Sequence, residues 1–446
     1  MTQDQKGLFS SRRCSQEFLF YQTDAKPEDA LSEDAAPVAS AELLKTFPEM
    51  LAGKAFLEHA MARLDGTPKF AALAVRIDDL NVKENAGKSD SDADVRVDVA
   101  GAIDTICQNE AGIWGQLDQD MLGCLFFETD ETCATKLAES IKSSLAAHRP
   151  ETVSIAIALY PLIDFLKNEI FDNTRKALDH AAFFGPDSSV VFDAVSLNIS
   201  GDKLYQKGDV NGAINEFKKA LRLDPSNVNV HNSLGVCYGI LGNFKDAKLE
   251  FGETIRLDPK ETMAVYNLGL IYLLSDNKEK ALEHFLEAAG QAEDVFEVVL
   301  QTGKTYLETG QPEKSKFYLE KAVNLKPESP VAYRLFGEYC AAMNLTDEAV
   351  AAYKKAIRHN PNDADSLSAL GYLFDLQGEN PEITTIFCQQ SVDISPENGL
   401  FRHRLGSLYL KRNLLKEALE QFQKADELGH DSKEIIIKIK KLMQDS

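Results

Sequence analysis

The chain has 446 residues, 44% hydrophobic and 26% charged, with a formal net charge of −22. The acidic excess is greatest ahead of residue 196, −15 against −7 beyond it, and it repels phosphate at long range, so nucleic acid is not an expected partner. No apolar run of about eighteen residues occurs, so no membrane-spanning helix is expected.

The first twenty residues contain no apolar core of a secretion signal. The seven cysteines are scattered and odd in number, without a C-x-x-C pair. That usage suits a reducing compartment better than a disulfide framework or a zinc site, and implies a cytoplasmic location. Residues 1–40 are rich in Asp, Glu, Ala, Pro and Ser and read as a disordered tail that buries too little to order itself. Phe18-Leu19-Phe20-Tyr21 is a loosely packed end, with a short docking motif as the alternative.

Residues 41–193 alternate helix and strand. Ala55 to Leu64 reads as helix, Phe70 to Ile77 as a buried strand, and Val95 to Cys107 as helix. Gly112–Leu117 and Met121–Phe127 flank Asp118-Gln119-Asp120 as a hairpin. Helix over Thr132–Ala147, strand over Thr152–Ala158, helix over Phe171–Phe183 and strand over Ser189–Phe192 complete the domain. The order predicts an α/β sheet containing antiparallel strands, with helices packed on it. Two stretches imitate ligand loops. Gly87-Lys88-Ser89 echoes a phosphate loop but has Val82 at its first glycine position. Asp90-x-Asp92-x-Asp94 echoes a calcium loop but has Val95 and Gly101 where glycine and glutamate belong, and reads as a flexible charged loop.

Val153-Ser-Ile-Ala-Ile-Ala158 and Ala177-Leu-Asp-His-Ala-Ala-Phe-Phe-Gly185, with a hairpin between the flanking elements, resemble the GGDEF (diguanylate cyclase) family. The resemblance implies a nucleotide-cyclase-like α/β sandwich over residues 44–193, but a degenerate one. Asp118-Gln119-Asp120-Met121-Leu122 stands where the family has G-G-[DE]-E-F, Arg76 replaces a metal-ligand aspartate, Ala182 replaces a phosphate-neutralising lysine, and Phe47–Gly53 replaces the entry motif. No R-x-x-D inhibitory motif precedes the hairpin. Side chains at the glycine positions block approach to phosphates, and a guanidinium beside the metal position repels Mg²⁺. No cyclase activity, cofactor or metal is therefore expected; Asp78, Asp79 and Asp120 read as solvated loop acids.

From Ser196 to about Gly429 a motif returns every 34 residues. Seven copies carry glycine at their sixth position: Gly201, Gly235, Gly269, Gly303, Gly337, Gly371 and Gly406. Glycine inside a helix costs roughly 1 kcal/mol against alanine, so its recurrence demands a packing reason. Close approach of a second helix through a small residue twelve positions on is expected, at Ala213, Ala247, Ala281, Ser315, Ala349, Thr384 (thirteen on) and Ala418. A bulky residue follows four later in most copies, Phe251 and Phe285 among them, and most copies end at an X-Pro step such as Asp224-Pro225 or Asp258-Pro259. The third copy has Glu293 in place of that proline, and the sixth has one extra residue near Gly378–Pro381.

This frame is similar to the tetratricopeptide (TPR) repeat, and implies an α-solenoid of about seven TPR helix pairs over residues 196–429. Residues 433–445 read as a capping helix, with a membrane-surface helix as the alternative. The fold class is then α/β plus all-α. In a TPR array the first helix of each pair lines a groove, which makes Asn232, Tyr266, Asn267, Gln301, Lys304, Arg334, Tyr372 and Arg404 the candidate partner-binding residues; Ser233, Glu338, His403 and Lys411 accompany them. Only Asn232, Asn267 and the Lys304/Arg334 pair suggest the family's carboxylate clamp, so a chaperone-tail partner does not follow. The expected function is a non-catalytic protein-interaction scaffold or adaptor in bacterial signalling. A protein or peptide lies in the TPR groove, and the GGDEF-like domain serves as a docking module or homodimer contact. A divergent nucleotide-binding sensor or weak cyclase is the alternative.

Overall fold

A computed structural model of the chain describes residues 40–78 and 90–444, without the side chains of 90–94. The expected tail with Phe18–Tyr21, the phosphate-loop imitation and Asp79 lie outside the described residues. The fold divides into two compact units, one ending at Pro259 and one beginning at Lys260.

The first unit is built on strand β1 (Phe70–Ile77). Its sequence, FAALAVRI, is almost continuously apolar because both faces are covered. β1 lies at the centre of a five-stranded sheet with β2 (Ile113–Asp118), β3 (Met121–Phe127), β4 (Val153–Tyr160) and β5 (Ser189–Val191), in the order β2-β3-β1-β4-β5. It pairs antiparallel with β3, Phe70 opposite Phe127, and antiparallel with β4, Phe70 opposite Tyr160. β5 joins β4 in parallel.

Alternation along β1 splits the core in two. Phe70, Ala72 and Ala74 meet Phe56 and Ala60 of helix α2 (Gly53–Arg63), which follows the short α1 (Ala41–Thr46), and Phe171 and Leu178 of α5 (Ile170–Ala181). Ala71, Leu73 and Val75 meet Val99 and Ile103 of α3 (Asp90–Asn109), and Ala138 and Ile141 of α4 (Glu131–Ala146). Two expectations are corrected. Residues Asp90 to Asp94 open α3 rather than forming a loop. Asp118 ends β2 opposite Met121, which leaves only Gln119 and Asp120 in the turn.

The remaining elements are helix pairs. α6 (Ala194–Gln206) with α7 (Val210–Leu223), and α8 (Val228–Ile240) with α9 (Phe244–Leu257), belong to the first unit. Leu197, Phe217 and Leu234 extend the α2/α5 side of the sheet core. The second unit contains α10 (Thr262–Leu274) with α11 (Lys278–Gln291), α12 (Phe296–Glu308) with α13 (Pro312–Leu325), α14 (Pro330–Ala342) with α15 (Thr346–His359), α16 (Ala364–Leu376) with α17 (Pro381–Ile394), α18 (Gly399–Lys411) with α19 (Leu415–Glu427), and finally α20 (Lys433–Gln444).

Each pair reverses through one left-handed residue: Gly208, Gly242, Asp276, Gly310, Asn344, Gly378 or Asn413. Only glycine, asparagine and aspartate enter this region readily, and only they occupy the position. Many helices begin on a side-chain cap; Asp209 Oδ1 accepts from the Gly212 amide at 2.8 Å and Asn227 Oδ1 from Val230 at 3.2 Å. The third copy, lacking its proline, still ends its second helix at Gln291.

The reason for the repeat glycines differs from the expected one. The space a Cβ would take is filled by the bulky residue four after the small one. A Cβ on Gly235 would lie 2.7 Å from Phe251 Cε1, on Gly269 2.6 Å from Phe285 Cε1, and on Gly303 2.7 Å from Leu319 Cδ2. The carbonyl of the small residue comes second, at 3.2 Å for Ala281 against Gly269. The ring inserts into the hole in the facing helix, and the small residue permits the depth of insertion.

Candidate functional site

In the first unit, the cyclase-like positions are engaged within the protein. Arg76 Nη2 donates to the Leu178 carbonyl at 3.3 Å. Asp118 accepts from Arg175 Nη2 at 3.1 Å, across from β2 to α5. Asp78 is not a solvated acid: it accepts from Thr152 Oγ1 and Ser154 Oγ, both at 2.7 Å, and from the Asp187 amide at 2.8 Å. Three donors tie the end of β1 to β4 and the loop before β5. Asp120 stands half-buried in the hairpin turn. Among the described residues no three His, Cys, Asp or Glu side chains converge as a metal site.

Asn232 lies half-buried on α8 beside Ser233, and Ser233 is hydrogen-bonded to Asp202 of α6. Burial raises the Asp202 carboxyl to about 7, and the Ser233 hydrogen bond opposes that rise. Asp202 occupies the seventh place of the first copy, one of the groove positions, and was missed because the aligned residue in the next copy is the apolar Val236.

In the second unit the remaining candidates separate into three groups. Tyr266 and Asn267 are inside: Asn267 is 0% exposed, and Tyr266 packs its ring 5.5 Å from that of Phe285. They support the wall of the array and offer no open side chain to a partner. Gln301, Lys304 and Arg334 line the next two first helices, α12 and α14. Gln301 is half-buried, and Lys304 Nζ stands 3.7 Å from Glu308 within its own helix. Arg334 is a hub, 3.1 Å from Glu338, 3.6 Å from Asp363 and 4.0 Å from Asp365, so that it links α14 to the cap and first turn of α16. Burial raises the Glu338 carboxyl, and Arg334 pulls it back.

The third group is Tyr372 with Arg404. Arg404 Nη1 donates to Ser368 Oγ at 2.9 Å, and its guanidinium lies 4.9 Å from the Tyr372 ring centre. Tyr372 is 43% exposed whereas Ser368 is fully buried. Arg404 thus reaches from α18 to α16 with its base enclosed and its partner ring open to solvent. Of the accompanying positions, Lys411 holds Asp375 at 2.6 Å. His403 turns away from this face: its Nδ1 is 2.8 Å from Ser432 Oγ and its ring packs on Phe422 and His430.

Helix pairs with a glycine–ring lock, a left-handed turn and a row of polar first-helix side chains define a TPR array. Residues 172–436 match the family described as the Cilia and flagella-associated protein 70 C-terminal domain, and the chain belongs to that family. The match begins within α5 of the sheet domain.

The chain is 26% identical over 226 residues to TPR repeat-containing protein MJ1428 of Methanocaldococcus jannaschii, covering 49% of this chain and 34% of that protein. It is 32% identical over 89 residues to General transcriptional corepressor trfA of Dictyostelium discoideum, covering 20% of this chain and 6% of that one. It therefore spans about a third of the first relative's length and far less of the second's. Among solved structures, YrrB, described as a TPR protein with an unusual peptide-binding site, is similar at 20% identity and a TM-score of 0.38, over 42% of this chain and 96% of that one. The APC/C hetero-tetramer Cut9-Hcn1 is similar at 13% identity and a TM-score of 0.46, over 55% of this chain and 48% of that one.

Proposed function

We propose that the chain is a non-catalytic interaction scaffold whose TPR array holds a protein or peptide partner on the first-helix face. Proteins of this repeat class generally mediate protein–protein interactions, and family membership supports the same role here. The observation that carries the reading is the row Gln301, Lys304, Arg334, Tyr372 and Arg404. These polar and aromatic side chains stand on helices whose other faces are apolar and buried. Asn232 with Ser233 is the corresponding polar surface of the first unit.

The sheet domain is read as a degenerate cyclase-like docking module, with homodimerisation through it as part of the same proposal. The central antiparallel β1 and the β2–β3 hairpin support that likeness. A signalling setting, bacterial or otherwise, rests on the cyclase resemblance. The divergent-cyclase alternative draws no support from Arg76 and Asp118, whose side chains are engaged with Leu178 and Arg175.

The test is affinity isolation with the native chain and with a Lys304→Glu, Tyr372→Ala double variant, both sites reaching solvent. A protein retained by the native chain and lost by a variant of unchanged helicity supports the groove. Equal retention by both removes it as the working surface.

A further inference from the structure

We propose that the outer face of α15 is a contact between two copies of this chain, related by a two-fold axis that passes over Ala351. The contact lies within the second unit and is separate from the sheet-domain contact proposed above.

Asp347, Glu348, Ala351, Lys354 and Lys355 are all exposed on α15. The two acids stand three and four positions before Ala351, and the two lysines three and four positions after it. At about 100° per residue, all five share one side of the helix. Acids and lysines are six to eight positions apart, beyond the three- and four-residue spacing at which side chains on one helix meet. Elsewhere in the array such charges do pair along the helix, as Lys316 with Glu320 and Lys424 with Glu420. Within the chain Asp347 accepts from Gln377 Nε2 at 2.9 Å, while Lys354 and Lys355 lie 5.2 Å and 5.0 Å from the ring centres of Phe374 and Tyr333. The helix dipole accounts for the acids, which stand in the first turn, but not for lysines that stop short of the last.

An antiparallel second copy turns this pattern into complementarity. With the axis across the helix at Ala351, Glu348 meets the partner's Lys355 and Asp347 meets the partner's Lys354, and symmetry repeats each pair. A parallel copy would set like charges together. Ala351, the small residue on the axis, lets the two helices approach closely. No other second helix carries two acids and then two bases at the aligned positions; α13 has Glu313, Lys314, Glu320 and Lys321 there. The same axis would oppose Lys314 to the partner's Lys321, so the contact extends from α15 toward α17 and not toward α13. On α17, Ile386 occupies the place of Ala351 and Ile383 precedes it by three, 55% and 50% exposed, and they add apolar area beside the charged centre. One helix with two isoleucines makes a small interface, so a dimer that dissociates at about 10–100 µM is expected.

The test is sedimentation of the full chain from well below to well above that range. Asp347→Lys with Glu348→Lys makes the face wholly basic, and Lys354→Glu with Lys355→Glu makes it wholly acidic. Each variant alone should self-associate at least about tenfold more weakly than the native chain. An equimolar mixture of the two should dimerise again, because the basic face of one meets the acidic face of the other. The fourfold variant carrying both pairs of changes should dimerise like the native chain. Recovery of this kind cannot come from a chain that merely fails to fold. The proposal is overturned if the native chain stays monomeric, or if association lost by the paired variants returns neither in the mixture nor in the fourfold variant. It is overturned equally if the paired variants dimerise as the native chain does, in which case the sheet-domain contact is left as the source of the dimer.

Discussion

A side chain seated where a glycine has none, phenylalanine in four of the seven pairs, is the contact that repeats along the helix pairs. At Gly235 an added methyl would lie 2.7 Å from Phe251, whose ring is fully buried. Gly235→Ala should therefore destabilise the protein by about 1–3 kcal/mol despite alanine's better helix propensity. Urea unfolding would measure it, with the solvent-facing Gly252, which has open space at the same point, as the control that gains stability. Asp202 gives a pH-dependent counterpart. Its folded carboxyl titrates near 7 because burial disfavours the charge, against about 3.9 in the unfolded chain. The folded state then holds the proton longer, so this group's effect is most favourable at low pH and is lost as pH rises from about 4 to about 7. Asp202→Asn should flatten the stability profile across that window, read as the midpoint of denaturant unfolding at each pH.

At the scale of elements, ends matter as much as faces. The hydrogen bond that the Gly212 amide donates to Asp209 Oδ1 starts α7, and Asp209→Ala should cost about 1 kcal/mol in equilibrium unfolding. The other end of the array depends on α20. Ile439 is completely buried against Ala418 and Phe422, while Ile435, Ile436 and Met443 lie partly covered beside them. Removing the chain from Ser432 onward should expose that apolar surface, lower the melting temperature and cause association measurable by light scattering. We propose from this packing that α20 caps the array. Its apolar residues are spaced to place Ile439 on one side, while Ile437 and the lysines remain exposed. Hairpin length was harder to read. Asp118 looked like a turn residue, but it ends β2 and is drawn to Arg175 on α5, a partner 57 positions away.

For the molecule as a whole, charge decides what stays away. A net charge of −22 predicts no measurable binding of duplex DNA even at low salt, where non-specific association is strongest; a fluorescence-anisotropy titration checks it. Titration of the full chain with GTP and Mg²⁺ should likewise give no micromolar binding, because Arg76 and Asp118, both engaged within the protein, stand where the cyclase resemblance implies a metal ligand and a glycine. Saturable binding would restore the nucleotide-sensor reading.

The array was legible from the chain because its information is local and periodic. Glycine, ring, small residue and turn recur every 34 positions, and each acts on a neighbour within the same helix pair. The buried strand Phe70–Ile77 was legible for a similar reason, as an unbroken apolar run bounded by polar residues. Side-chain availability was not legible, since it depends on packing between elements. Nothing in the residue type of Asn267 distinguishes it from Asn232, yet one is fully enclosed and the other half-buried. Nor do Arg334 and Arg404 differ in type. One is paired with three carboxylates and the other is bonded to a hydroxyl beside a ring, and only tertiary neighbours decide between the two.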